Sequence, residues 1–220
     1  MPNLLLDPAS KKELSWAQQM VIDHHYLHAA VDPRCRPFAY ILRYHNEPVG
    51  CLIFGRPQST RCYVGKLTYG SFDDVRTGLA LFDRWEVLNL ARVWLDPRIQ
   101  KFGANYIPRA ASMVIRIALQ RIGFDYLQFA PPVDCAFPYQ IKVIMSYCDT
   151  RIHNGWIYKA SRFKHARINS EGIETYYKKI PGLSLEQDEV IRRLAKNNER
   201  SRRIRAQRDA NANQIHMFFQ

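Results

Sequence analysis

Apolar and polar positions alternate along this chain with two distinct periods. Over residues 15–28 the apolar side chains Trp16, Met20 and Leu27 recur at helical spacing, which predicts a helix with one buried stripe. Residues 38–44 and 49–54 are short apolar runs separated by His45-Asn46-Glu47-Pro48, the pattern of a hairpin. Residues 85–95 (WEVLNLARVWL) form the longest strand-like stretch, and residues 107–122 return to helical spacing through Met113, Ile117 and Leu119. Further strands are expected over 124–129 and 173–178, a strand or short element over 143–148, and a short helix over 156–163. Residues 56–83 read as a long loop, and 97–105 as a turn. Residues 185–208 read as a basic helix or a free arm. No internal repeat is visible. The expected architecture is α/β: a mixed central sheet flanked by helices over residues 1–183, then a basic C-terminal helical tail over 184–220.

Composition narrows the class. The chain has 220 residues, of which 47% are hydrophobic and 12% aromatic, enough for a packed core and too many for a disordered polymer. No run of 18 apolar residues predicts a membrane helix, so no membrane partner is expected. The opening MPNLLLDPASKK lacks the basic leader and small-residue cleavage site of a secretion signal. The five cysteines, Cys35, Cys51, Cys62, Cys135 and Cys148, are scattered without a CxxC pair, which excludes a zinc ribbon and points to a reducing compartment, the cytoplasm. The formal charge is +12. Half of it lies in residues 190–220, where eight basic residues (Arg192, Arg193, Lys196, Arg200, Arg202, Arg203, Arg205 and Arg208) face only Glu199 and Asp209. Such a segment suits phosphates, so a nucleic acid is the expected partner.

The chemistry concentrates in two stretches. In residues 93–112 (VWLDPRIQKFGANYIPRAAS) a strand ends at Pro97 and a helix follows Gly103, which aims backbone N–H groups at one spot and makes an anion site. Pro97, Gln100 and Gly103 resemble the acyl-CoA loop of the GNAT acyltransferase superfamily, Pro-x-x-Arg/Gln-x-x-Gly-x-Gly/Ala, with Asn105 at the last position. Tyr158 and Phe163 resemble its late-helix Tyr-x-x-x-Gly-Phe pattern, with Arg162 in place of Gly. The resemblance implies a GNAT-like fold, donor binding by Gln100, Gly103, Ala104, Asn105 and Ser112, and a general-acid role for Tyr158.

His25-Tyr26, WEVLNLARVWLDP and SYCDTRIHNGWIY (residues 146–158) together resemble the Mom-type phage DNA adenine modification proteins. The last stretch is similar to their Ser-Tyr-Ala-Asp … Gly-x-Ile-Tyr signature, with Cys148 in place of Ala. The likeness spans about residues 20–180. It implies conversion of adenine in DNA to N6-carbamoylmethyladenine, protection of phage DNA from host restriction, and location in the host cytoplasm. Carried over residue by residue, Asp149 would accept or orient the amine proton, Tyr158 would act as acid, Arg92 would hold the donor or an oxyanion, and Tyr40, His25 and Tyr26 would complete the site. Glu86 and Arg92 share strand parity, so both are expected on one face. Arg61 and Lys66, with Tyr63 and Tyr69, would contact DNA, and Tyr26, Tyr40, Trp85 or Tyr147 would stack a flipped base. His24 and His28, four apart and flanking His25, would share a helix face for a metal, with iron implied by the resemblance. The donor is acetyl-CoA or, because the product is an isomer of N6-glycyladenine, a glycyl donor such as glycyl-tRNA. The alternative reading is an N-acetyltransferase acting on a small-molecule or protein amine.

Overall fold

In the computed structural model, which describes residues 4–62, 65–101, 105–130 and 140–218, the chain begins with a strand, β1 (Leu4–Pro8). It continues through α1 (Lys11–His24), β2 (Phe38–Tyr44), β3 (Glu47–Gly55), β4 (Tyr69–Gly70), α2 (Phe72–Arg76), β5 (Phe82–Asp83) and β6 (Val87–Leu95). Then follow α3 (Pro97–Gln100), α4 (Ala110–Phe129), β7 (Val143–Asp149), α5 (Trp156–Ala160), β8 (Lys164–Ile168), β9 (Ile173–Lys179) and α6 (Leu185–Phe218). Seven strands form one mixed sheet in the order β1-β2-β3-β6-β7-β9-β8. Every neighbouring pair is antiparallel except β6 and β7, which are parallel.

Local chemistry explains most boundaries. Ser10 caps α1 and forms a capping box with Glu13, which sets the helix start at Lys11. The helix stops at His24 because His25 turns extended, at φ −88° and ψ 140°. The strand expected over 124–129 is instead the last part of α4. Its apolar run continues the helical period from Ile122, and Tyr126 and Leu127 are fully buried on the same stripe. The expected loop over 56–83 carries structure of its own: β4 and β5 pair in parallel, and Ser71 and Asp74 cap α2.

Side-chain alternation divides the core into two layers. On one sheet face Leu88, Leu90 and Ile144 meet Val114, Ile115, Ala118 and Ile122 of α4, with Ile191 of α6. On the other, Ala17 and Val21 of α1 pack on Ala39, Ile41, Cys51 and Ile53, while Leu67, Tyr69 and Phe82 pack on Val87, Val143 and Met145. Among the described residues no helix is long and apolar enough to cross a membrane. Cys35, Cys51, Cys62 and Cys148 are free thiols, and Cys135 lies outside the described residues.

Candidate active site

The central parallel pair opens into a cleft. β6 and β7 pair only between Val87–Asn89 and Val143–Met145, after which both strands run on unpaired to each other. A β-bulge on β6 accompanies the split: Ile53 faces Arg92 and Phe54 faces Leu90, so Ala91 is the extra residue. The bulge turns Arg92 onto the α1 face, where its Nε donates to the Ala29 carbonyl at 3.3 Å and Nη1 to the Ala91 carbonyl at 2.7 Å. The bulge also breaks the strand parity expected of Glu86 and Arg92. Glu86 sits in a 3-10 turn before β6 and pairs with Lys142 at 2.5 Å, outside the cleft.

The cleft has a volume of about 910 Å³ and passes between β6 and β7 from one sheet face to the other. Its α1 side carries Arg92, His25, Tyr26 and His153, and its α4 side carries Tyr158 and Ala111. His25 stacks on Tyr26 at 4.4 Å, and Tyr26 meets the edge of His153 at 4.9 Å. Burial, then the Arg92 charge, lowers the His25 pKa to about 4, so its imidazole is neutral at pH 7. The Leu27 amide donates to His25 Nδ1 at 3.2 Å, which leaves the proton on Nε2. Burial likewise lowers the Arg92 pKa and raises that of Tyr26. Among the described residues no carboxylate pairs with Arg92.

Tyr158 stands where the strands separate. Gly155, in the left-handed region at φ 68°, starts α5 and presents Tyr158 one turn later against Tyr176, to which it stacks at 5.1 Å. The Tyr158 hydroxyl lies 3.0 Å from Ser146 Oγ and 3.3 Å from the Tyr147 carbonyl, and Ser146 Oγ lies 2.8 Å from the Leu90 carbonyl. Burial pushes the phenol up to about 12, against the lowering effect of the Ser146 bond. It therefore keeps its proton across the neutral range.

A second hollow of about 210 Å³ adjoins the cleft at the start of α4 and shares Gln100, Ala111, Trp156 and Ile157 with it. Arg109, the α4 N-cap, is left-handed at φ 58° and makes no side-chain cap; the Ala110 amide donates to the Ile107 carbonyl at 3.2 Å, which leaves the Ala111 and Ser112 amides for a ligand. Ser112 donates its hydroxyl back to the Arg109 carbonyl at 3.1 Å, leaving its own amide in that first turn. Gln100 Nε2 donates to the Leu95 carbonyl at 2.6 Å, which ties the short α3 to the end of β6. Asn105 is exposed, and Gly103 and Ala104 lie outside the described residues.

Several expected site residues fall elsewhere. Tyr40 is fully buried between β2 and α4, and its hydroxyl donates to Asp125 at 2.6 Å, so it is a core residue away from the cleft. Asp149 does not line the cleft. Its carboxylate accepts from the Arg151 amide at 3.0 Å and from the guanidinium at 2.9 and 2.6 Å, and these bonds hold its pKa below the usual range. It builds the turn that delivers His153 to the cleft. His24 and His28 do line the cleft, but they do not share a helix face, because the helix ends between them. His24 stacks on Trp94 at 5.3 Å, and His28 Nδ1 is 2.9 Å from the Ile22 carbonyl. Among the described residues no group of three or more His, Cys, Asp or Glu is placed to hold a metal ion, so these side chains do not fit the iron implied above. Arg61 is paired with Asp74 at 3.3 Å, Lys66 is exposed, and neither lines the cleft. Trp85 lies between Arg84 and Arg56 at 4.6 and 5.2 Å, also outside it. Arg200, Arg202, Arg203 and Arg205 are exposed on α6, and the side chain of Arg208 lies outside the described residues.

No family model and no curated protein matches the sequence. Solved structures do. A GNAT-family acetyltransferase from Listeria monocytogenes is similar at 12% identity over 82% of this chain and 98% of that one, with a TM-score of 0.45. FeeM, an N-acyl amino acid synthase from uncultured soil microbes, is similar at 11% identity over 82% and 93%, with a TM-score of 0.46. The AHL synthase LasI is similar at 12% identity over 87% and 95%, with a TM-score of 0.45.

Proposed function

We propose that the cleft transfers an acyl group from a thioester donor to an amine. The observation that carries this reading is the position of Tyr158: a buried, protonated phenol at the point where β6 and β7 separate, with the open α4 N-terminus on one side and the Arg92 chamber on the other. The first turn of α4 fits the phosphates of a coenzyme A donor, which supplies the activated acyl carbon. Tyr158 would give its proton to the sulfur as the carbon–sulfur bond breaks, and the Ser146 hydroxyl, 3.0 Å away, would hydrogen-bond the phenolate left behind until solvent returns the proton. Arg92 faces the carbonyl oxygen on which charge develops while the carbon–nitrogen bond forms. His153, on the α1 side, would take the proton released by the amine. The tightly held Asp149 is assigned no proton transfer.

The acceptor reading we favour is an uncharged exocyclic amine of a nucleobase, namely N6 of adenine in DNA, as the likeness to the Mom-type proteins implies. What supports it is the charge of the chamber. Asp96 is the only carboxylate among the described residues lining the cleft, and Arg98 already holds it at 2.6 Å. An ammonium substrate would meet Arg92 and no free counter-charge. Tyr26, His25 and His153 instead offer ring faces and edges to a planar base. The second reading, a small-molecule or protein amine, rests on the same acyl-transfer geometry.

The test is turnover by the purified protein with acyl-CoA and glycyl thioesters, against duplex and single-stranded DNA, spermine and a lysine peptide. Thiol release that requires DNA, with a matching mass gain on deoxyadenosine, is the expected result. Turnover with spermine or peptide but not DNA transfers the assignment to the second reading, and no turnover with any pair rejects acyl transfer.

A further inference from the structure

The long helix α6 has a surface that the cleft chemistry does not use. Its first turns belong to the domain: Ile191 is fully buried, and Leu194 packs against the core beneath it. Beyond Leu194 the apolar positions run out. Between there and residue 207 the only large aliphatic side chain is Ile204, which is 45% exposed. Between Leu194 and residue 207 the helix thus carries no apolar seam for a second copy of itself and no apolar face for a bilayer.

The arginines that replace that stripe are not confined to one side. At 100° per residue, Arg200, Arg202, Arg203 and Arg205 lie at about 180°, 20°, 120° and 320° from Ile191. Four cations within six residues therefore surround the helix. Lys196 and Arg192 extend the outer ridge toward the domain at spacings of four. The Glu199–Arg203 pair, at 2.6 Å, is more than half exposed on both sides and exchanges readily for a phosphate. Arg192 and Arg193 are engaged with Asp188 and Glu189 at the domain end of the helix, and between residues 195 and 207 five basic residues stand against one acidic residue, Glu199.

We propose that residues 196–205 of α6 insert as a helix into the major groove of double-stranded DNA. A ring of cations fits a site with phosphates on both walls rather than a single flat anionic surface. The major groove, about 12 Å wide, admits a helix of about 10–12 Å diameter between two phosphate strands. The deep, narrow major groove of duplex RNA does not. This inference is independent of the reaction assigned to the cleft.

The experiment is fluorescence anisotropy of the full chain with a 25-base-pair duplex over a salt series, alongside a variant with Arg200, Arg202, Arg203 and Arg205 changed to Gln. Glutamine keeps helix propensity, and circular dichroism checks that helix content is retained. Losing four phosphate contacts flattens the slope of log K against log salt by about 3 to 4. A control with Lys11, Lys12 and Lys164 changed to Gln is expected to keep the wild-type slope. Equal losses in the two variants would mean diffuse surface charge and overturn the proposal. So would equal affinity for duplex RNA of the same sequence, tighter binding to phosphatidylserine vesicles than to DNA, or concentration-dependent self-association abolished by the arginine changes.

Discussion

Replacing Tyr158 by Phe isolates the group on which the reaction depends. The ring keeps its stack on Tyr176 and its edge contact with Phe163 at 5.7 Å, so only the hydroxyl is lost. Ser146 retains the Leu90 carbonyl as a partner, while the Tyr147 carbonyl loses its donor. One buried hydrogen bond is worth about 1 kcal/mol, which lowers Tm by roughly 2–4 °C for a chain of this size. The rate effect is much larger. Loss of a positioned acid costs about 10²–10⁴-fold, or about 3–5 kcal/mol of barrier. The assay is continuous detection of free thiol at saturating donor and acceptor, with donor affinity measured separately. The expected result is a kcat lower by at least about 100-fold, with donor KM within about twofold, because the donor's phosphates are held at α4. A variant that melts near the wild-type temperature and retains kcat within threefold refutes the role of Tyr158.

Three other changes probe the surroundings. Tyr40→Phe removes the 2.6 Å bond to Asp125 and is expected to cost about 1–3 kcal/mol in chemical denaturation with kcat unchanged; a large loss of kcat in a stable variant would return Tyr40 to the site. Gly155→Ala places a Cβ 2.5 Å from the Tyr176 hydroxyl at φ +68°, so about 1–3 kcal/mol of stability and most of the activity should be lost together; wild-type stability would contradict the packing. For His25, the folded pKa lies near 4 and the unfolded one near 6.5, so the unfolded state binds more protons between those values. Its contribution is full above about pH 6.5 and is lost as pH falls toward about 4. His25→Gln should flatten that part of the denaturation profile, and an unchanged profile would assign the acid sensitivity elsewhere.

The legible parts of the fold were those whose pattern is local. The hairpin strands and β6 announce themselves by short apolar runs, and Pro97 marks the end of β6. β1 and β8 carry almost no local signal, because short edge strands show few buried positions: only Leu6 in β1 and Ala166 in β8 are buried. The strand expected over 124–129 failed because a short apolar run cannot by itself distinguish strand from buried helix. In the site, the splay of β6 and β7 brings Arg92, His25, Tyr26 and Tyr158 to one cleft, although they are remote in sequence. The bulge at Ala91 was invisible, since it depends on register with β3. An Asp followed two residues later by Arg recurs here as Asp32–Arg34, Asp96–Arg98 and Asp149–Arg151, each a side-chain-capped turn. That spacing marks a structural carboxylate and could have been read from the sequence.

The most direct measurement is mass spectrometry of nucleosides from the DNA of cells expressing this chain or its Tyr158→Phe variant. The account predicts a deoxyadenosine derivative carrying the transferred group in the first sample and its loss in the second. Unmodified deoxyadenosine in both, with abundant folded protein, would contradict the assignment of adenine as the acceptor.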